Sequence, residues 1–213
     1  MSVSIVLSFL AGVSAFLFLR ANQWGPKRQE YLFKPLTTIL ILLIALLAPV
    51  PENALYKWAI VIGLAFSLAG DIFLLLPRNR FIFGLVAFLI AHIFFTLAFT
   101  TEGFYLSLLA LIPFAIFGGL VIGLLWPVLG KLRLPASLYA LVLMIMGWQA
   151  AGYWITIGSQ SSILAFVGAV LFIISDSIMI FHRFRSPHRY ARLTYMTLYY
   201  LALWLIAMSV VVY

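Results

Sequence analysis

Two aspartates lie inside otherwise apolar stretches of this 213-residue chain. Asp71 interrupts the run SLAGDIFLLLP, and Asp176 interrupts the run LFIISDSIMIF. An acidic side chain at the centre of a membrane helix costs roughly 2.5–3.5 kcal/mol on insertion scales, so each needs a structural partner or a chemical task. Two carboxylates in one low-dielectric pocket favour one protonated and one ionised member, the pair that general acid–base catalysis requires. Asp71 and Asp176 are therefore candidate catalytic residues, although a purely structural pair, bonded to Ser67, Ser175 or Ser177 or to a basic loop residue, would also explain them.

Other polar side chains near the same depth could bind a substrate. Basic residues could hold a phosphate, and tyrosine hydroxyls could donate hydrogen bonds, although topology and interfacial packing also explain residues of these types. A histidine on an apolar helix could equally be a packing residue that orients a neighbour. The predicted substrate-binding residues are Lys34, Arg78, Arg80, His92, Tyr139 and Tyr199.

The chain offers no signal for a cofactor or a metal. It has no cysteine, which excludes thiolate ligands, thiol nucleophiles and disulfides. His182 and His188 are six residues apart, which matches no common zinc spacing. Nucleotide-binding glycine motifs and the serine-hydrolase elbow do not occur in the sequence. We therefore predict no metal and no cofactor, although Asp71 and Asp176 together are residues of a type that can hold a metal ion.

The composition is that of a polytopic membrane protein. Hydrophobic residues make up 66% of the chain and charged residues only 8%, too few to coat a soluble domain of this size. The net charge of +8 does not indicate nucleic-acid binding, because the basic residues lie in short segments between apolar runs, where they set orientation and meet lipid phosphates. The expected partners are membrane lipids.

Eight apolar runs are long enough to cross a hydrocarbon core of about 30 Å. They predict an all-α bundle of eight transmembrane helices in a single integral membrane domain that covers residues 1–213. The first run is interpreted as a retained helix, since it lacks the basic start of a signal peptide. The predicted spans are 2–19, 35–50, 55–76, 81–100, 104–126, 135–157, 162–181 and 193–213.

The basic residues predict the orientation of the bundle. Twelve of the 13 lie in the loops after the odd-numbered spans or at the ends of those spans, and only Lys57 lies on the opposite face. The positive-inside rule therefore places the odd-numbered loops in the cytoplasm and both termini on the other side. The location predicted for the protein is a bacterial cytoplasmic (inner) membrane.

The two halves of the chain also resemble each other. Asp71 and Asp176 are 105 residues apart and each lies near the end of a span, and Pro35 and Pro135 open spans at a similar offset. Four spans per half would give parallel repeats that are related by an axis along the membrane normal. Both aspartates would then lie at one depth, about 9–10 Å inside the cytoplasmic interface.

At these residues the sequence resembles the YhhN family of membrane proteins, which includes the lysoplasmalogenases. The resemblance rests on SLAGDIFLLLP, on FIFGLVAFLIAHIFFTLAF, on LFIISDSIMIFHRF and on the opening KPLTT of the second span. It implies an eight-span hydrolase that cleaves the vinyl ether bond of lysoplasmalogens to a fatty aldehyde and glycerophosphoethanolamine or glycerophosphocholine. It also implies that Asp71 and Asp176 are the family's intramembrane acidic residues and that His92 is its histidine.

Vinyl ether hydrolysis is chemistry that two carboxylates can perform. The alkenyl carbon is protonated, water adds to the resulting oxocarbenium ion and the hemiacetal collapses, so one acid and one base suffice. The scissile bond of a lysophospholipid lies just below its phosphate, at the depth expected for the aspartates. Two other functions use similar residues: a proton-coupled transporter of a small amphiphile, and a lipid-binding protein without catalysis.

Overall fold

The computed structural model describes residues 3–76, 80–185 and 190–213, and every regular element among them is helical. The predicted class, an all-α membrane bundle, is confirmed. The α-helices are α1 (Val3–Trp24), α2 (Lys27–Leu47), α3 (Ala54–Leu75), α4 (Phe81–Phe99), α5 (Leu108–Leu129), α6 (Arg133–Ile157), α7 (Gln160–Phe184) and α8 (Ala191–Val211).

The predicted count of eight separate spans is slightly off. Within the described ranges, seven helical segments are long and apolar enough to cross a membrane, and the fifth is Leu108–Ile157 with 50 residues. This segment contains α5 and α6, which are joined by a 3₁₀ turn at Gly130–Leu132 rather than by a polar loop. Gly130 has a φ of +51°, a conformation that glycine adopts easily, and it lets α6 fold back to pack on α5.

Two predicted boundaries were wrong for local reasons. Helix α2 begins at Lys27 rather than at residue 35, because Pro35 is accommodated inside the helix with the loss of one backbone donor. Helix α5 begins at Leu108 rather than at residue 104. The Gln149 amide bonds both the N–H and the C=O of Tyr105, each at 3.0 Å, and this holds the preceding segment outside the helix.

The predicted 4+4 repeat is only approximate. Helices α3 and α4 form a closely packed hairpin, as do α7 and α8, and α4 packs on α6 as α8 packs on α2. The first helices of the two halves differ, because α1 packs on α8 whereas α5 packs on α7.

Helix α8 is the centre of the bundle, and glycines let its neighbours approach closely. It packs on α1, α2, α3 and α7. A Cβ atom on Gly70 of α3 would lie 2.6 Å from the ring of Phe88 on α4. Because Phe88 also contacts Phe172 and Tyr199 edge-on, this close approach fixes the distances among α3, α4, α7 and α8.

We expect Gly70→Ala to destabilise the folded protein by about 1–3 kcal/mol, because the added methyl group overpacks the contact with Phe88. Gly123→Ala in α5 is the matched control, since no heavy atom lies within 4 Å of its Cβ position and alanine favours the helix. Thermal unfolding of the purified variants in detergent measures both effects. Equal unfolding temperatures for the two variants would contradict this account of the packing.

The end of the bundle that holds the chain termini is closed by polar contacts. Lys57 is buried and donates to the carbonyl of Ala48, just past the end of α2, at 2.5 Å. Ser8 near the start of α1 accepts a hydrogen bond from Trp204 near the end of α8 at 2.9 Å. Glu102 in the loop between α4 and α5 accepts hydrogen bonds from Tyr213 and Asn53, which lower the pKa of Glu102.

The orientation remains a prediction that tags can test. With the basic ends of the helices in the cytoplasm, tags at the N and C termini should both be accessible only from the non-cytoplasmic side of intact cells. Protection of both tags until the membrane is permeabilised would reverse the assignment.

Candidate functional site

A cavity of about 440 Å³ lies among α2, α3, α4, α7 and α8, at the end of the bundle opposite the termini. Its volume is in the range of small-molecule pockets. It extends from the exposed Arg183 to Asp71, which is only 1% exposed. Both aspartates line it. The lining residues are Lys34, Asp71, Leu74, Leu75, Phe81, Phe88, Ser175, Asp176, Met179, His182, Arg183, Arg192, Tyr195, Met196 and Tyr199.

Asp71 is surrounded by hydrogen-bond donors and a cation. Its Oδ2 accepts from the Thr38 hydroxyl at 2.6 Å and from the Tyr199 hydroxyl at 2.8 Å. Its Oδ1 lies 3.0 Å from the Lys34 ammonium, which is also buried. A cation and two hydroxyl donors suit an ionised carboxylate in this apolar setting.

Asp176 has a different and less polar environment. Its Oδ2 accepts a hydrogen bond from the Tyr139 hydroxyl, and the nearest ring nitrogen of His92 lies 4.0 Å away. His92 is fully buried, its ring meets Phe172 and Tyr139 edge-on, and neither ring nitrogen has a hydrogen-bond partner among the described residues. With one neutral donor and no adjacent cation among the contacts that the structure describes, Asp176 suits the protonated form better than Asp71 does.

Helical spacing brings these side chains to one face of each helix. On α2, Lys34 and Thr38 are four residues apart, and both contact Asp71. On α8, Arg192, Tyr195 and Tyr199 follow the same three-to-four-residue period, and all three line the cavity. On α7 the period runs through Asp176, Met179 and Arg183.

Two residues predicted to bind substrate take other positions. Tyr139 and His92 approach Asp176 but are not among the residues that line the cavity. Counting residues along α4 puts His92 deeper in the bundle than the aspartates, yet one of its ring nitrogens lies 4.0 Å from Asp176.

The basic residues also differ from the prediction. Lys34 lines the cavity, but its charge faces Asp71. Arg80 is exposed, lies 5.5 Å from the ring of Phe83 and is not a lining residue. Arg78 lies outside the described residues.

The serines expected as partners of the aspartates all bond backbone carbonyls instead, whereas the other expected partner, a basic residue, is present as Lys34 beside Asp71. Ser67 donates to Gly63, Ser177 to Ile173 and Ser175 to Tyr195. The first two bonds follow the habit of helical serine hydroxyls of turning back to the carbonyl four residues earlier.

Sequence reasoning missed several residues of the site, chiefly Thr38, Arg183, Arg192 and Tyr195. Arg192 donates a hydrogen bond to Glu30 at 2.6 Å. When the side-chain amide of Asn22 is oriented with its oxygen towards Arg192, that oxygen also accepts hydrogen bonds from Arg192 at 2.7 and 3.0 Å. The period that joins Arg192 and Tyr195 to Tyr199 was a usable signal. On α7 the same period joins Arg183 to Asp176, so it was a usable signal for Arg183 too.

Within the described residues, no three histidine or acidic side chains lie close enough together to hold a metal ion. Near the cavity, a ring nitrogen of His92 and the carboxylate of Asp176 approach each other to 4.0 Å.

A bundle of helices that are long and apolar enough to cross a membrane, with a carboxylate-lined cavity between them, defines an integral membrane protein with a polar site inside the helix bundle. The chain belongs to the YhhN family, whose model matches residues 29–210, so the resemblance is confirmed.

Named relatives extend from bacteria to mammals. The chain is 33% identical over 185 residues to the membrane protein YhhN of Shigella flexneri, covering 85% of this chain and 88% of the relative. It is 34% identical over 157 residues to the human lysoplasmalogenase TMEM86A, covering 71% and 65% respectively. It is 32% identical over 170 residues to the pig lysoplasmalogenase TMEM86B, covering 79% and 70%. No solved structure matches the chain.

Proposed function

We propose that the protein is a lysoplasmalogenase-like hydrolase that cleaves the vinyl ether bond of a lysophospholipid to a fatty aldehyde and a glycerophosphodiester. The observation that carries the proposal is one cavity lined by two buried carboxylates in unlike environments. The names of the mammalian relatives supply the substrate class.

Asp176 is the general acid in this proposal. Oδ2 accepts the bond from Tyr139, so the proton resides on Oδ1 and is delivered to the β-carbon of the alkenyl group. His92 and Tyr139 act as positioning residues that hold Asp176 in place from behind the cavity wall.

Asp71 is the general base in this proposal. Its negative charge, maintained by Lys34, Thr38 and Tyr199, stabilises the oxocarbenium ion that forms when the carbon is protonated. It then accepts a proton from the water that attacks this ion, which gives a hemiacetal. The hemiacetal breaks its bond to the glycerol oxygen, its hydroxyl proton ends on that oxygen, and an aldehyde is released.

The catalytic cycle closes with one proton transfer. After one turnover Asp176 has lost a proton and Asp71 has gained one, so transfer between the two carboxyl groups across the shared cavity restores the starting state. The net reaction consumes one water molecule, and no oxidant, reductant or covalent intermediate takes part.

The decisive experiment uses purified protein in lipid bilayers. It measures aldehyde release from lysoplasmalogens with ethanolamine and choline headgroups, with 1-acyl and 1-O-alkyl lysophospholipids as controls. We expect aldehyde only from the vinyl ether lipids. Binding of these lipids without aldehyde release would favour the non-catalytic lipid-binding function and refute the hydrolase.

A further inference from the structure

Ser175 is a buried hydroxyl residue of α7 that lines the cavity next to Asp176. Its Oγ donates to the backbone carbonyl of Tyr195 on α8 at 2.8 Å. Helical serines usually turn their hydroxyl back to a carbonyl of their own helix, as Ser67 and Ser177 do. The hydroxyl of Ser175 is instead held across the gap between two helices.

A hydroxyl group in this arrangement can accept a hydrogen bond from a ligand but cannot donate one. Serine has one O–H donor and two acceptor lone pairs. The donor of Ser175 is committed to Tyr195, and among the described contacts no group donates to its Oγ. We propose that Ser175 accepts a hydrogen bond from the free sn-2 hydroxyl of the lysophospholipid and thereby selects single-chain over two-chain ether lipids.

The covalent structure of a lysophospholipid places this hydroxyl close to the reactive bond. Three covalent bonds join the sn-2 oxygen to the vinyl ether oxygen, a distance of about 3–4 Å. Ser175 precedes Asp176 by one residue, or about 1.5 Å along the axis of α7. A ligand whose vinyl ether lies at the Asp176 carboxyl group can therefore also bring its sn-2 hydroxyl to Ser175.

A two-chain lipid cannot make this hydrogen bond. Its sn-2 oxygen is acylated and has no proton, so an acceptor would face the Ser175 Oγ, and a buried polar group without its partner weakens binding. Sites built to bond a substrate hydroxyl discriminate against analogues that lack it. The inference takes its ligand class from the proposed function and adds the residue that recognises the free hydroxyl.

Binding measurements with three lipids that cannot be hydrolysed test the inference on the full-length protein in lipid bilayers. All three are 1-O-alkyl glycerophosphoethanolamines with the same chain, and they carry a hydroxyl, a hydrogen or a methoxy group at sn-2. We expect the parent protein to bind the hydroxyl lipid about three- to tenfold more tightly than the other two, the usual effect of a neutral hydrogen bond. Ser175→Ala should remove this preference by weakening only the hydroxyl lipid.

Ser161→Ala is the matched control. Ser161 is also buried on α7 and donates to the carbonyl of Ser209 on α8 at 2.9 Å, but it is not a lining residue. Both variants lose one hydrogen bond between the same two helices, so thermal unfolding should show a similar small destabilisation of each. Ser161→Ala should nevertheless keep the full preference for the hydroxyl lipid. Loss of the preference in both variants would assign it to helix packing and overturn the inference.

The parent protein alone can also refute the inference, whether or not Ser175→Ala folds. Equal affinity for the hydroxyl and hydrogen lipids would show that no group recognises the hydroxyl. Equal affinity for the hydroxyl and methoxy lipids would show that the protein donates the hydrogen bond, which Ser175 cannot do. A folded Ser175→Ala protein that keeps the preference would place the recognition on another residue.

The outcome is separable from that of the proposed function, because these affinities need no turnover. If the parent protein cleaves vinyl ethers but shows no preference that depends on Ser175, the inference fails and the hydrolase stands. If the preference appears without cleavage of any vinyl ether, the hydrolase fails and the hydroxyl site stands.

Discussion

Asp176→Asn is expected to lower the rate of aldehyde release from a lysoplasmalogen by at least about 100-fold. Asparagine keeps the shape of the side chain and can still accept the bond from Tyr139, but it has no proton to give to the alkenyl carbon. General acid–base catalysis typically contributes 10²–10⁴-fold, and carbon protonation would be the difficult step. Turnover of the parent protein should also slow in deuterium oxide, which the same assay measures.

Ser177→Ala is the control for this substitution, because Ser177 is next to Asp176 but bonds only the carbonyl of Ile173 among the contacts described. It should keep nearly full activity. His92→Gln should be intermediate, since His92 positions Asp176 without lining the cavity. Near-normal turnover by a folded Asp176→Asn protein, with a parent that cleaves the substrate, would refute the two-carboxylate mechanism.

Lys34→Met is expected to destabilise the protein by about 3–5 kcal/mol, the usual result of removing one partner of a buried ion pair. Lys34 and Asp71 are both almost completely buried, so the remaining carboxylate would have two hydroxyl donors but no cation. Thermal unfolding of the purified variant in detergent measures the loss.

The double variant Lys34→Met with Asp71→Asn separates charge from shape. It removes the unpaired charge while leaving an acceptor for Thr38 and Tyr199, so it should recover most of the stability and remain inactive. A double variant no more stable than Lys34→Met alone would show that Lys34 stabilises the bundle through packing of its stem rather than through its charge.

The sequence was sufficient to predict the membrane class and the aspartates that line the cavity. Apolar run length is a direct physical requirement of the bilayer, and a carboxylate inside such a run is costly enough to stand out. The partners of Asp71 were not predictable in the same way. Thr38 and Tyr199 lie on α2 and α8, far from Asp71 in the chain, and only the packing of three helices brings their hydroxyls to one oxygen.

The wrong predictions arose where positions along the chain were used in place of the packing of the helices. Distances along single helices were used as depths, and these distances do not show which side chains meet across helices, such as His92 and Asp176. Prolines were used as helix boundaries, and this fails when a helix continues through them, as at Pro35. Basic residues in loops and at span ends were assigned by their position in the sequence alone, without the helical period that places Arg183 on the same face of α7 as Asp176.

The exposed charged residues at the two ends of the bundle make the molecule electrically polarised along its length. Lys57 is the one basic residue outside the loops and span ends that are predicted to be cytoplasmic, and its contact with Ala48 places it inside the protein. Glu52 and Glu102 are exposed at that end, whereas Arg80, Arg133 and Arg183 are exposed at the other. A membrane potential that is negative inside changes the free energy of moving one elementary charge across the bilayer by about 2.3 kcal/mol per 100 mV. In the predicted orientation, the membrane potential of a respiring cell would therefore favour having the positive end of the bundle on the cytoplasmic side. Dissipating the potential would remove this contribution to the free energy of the orientation.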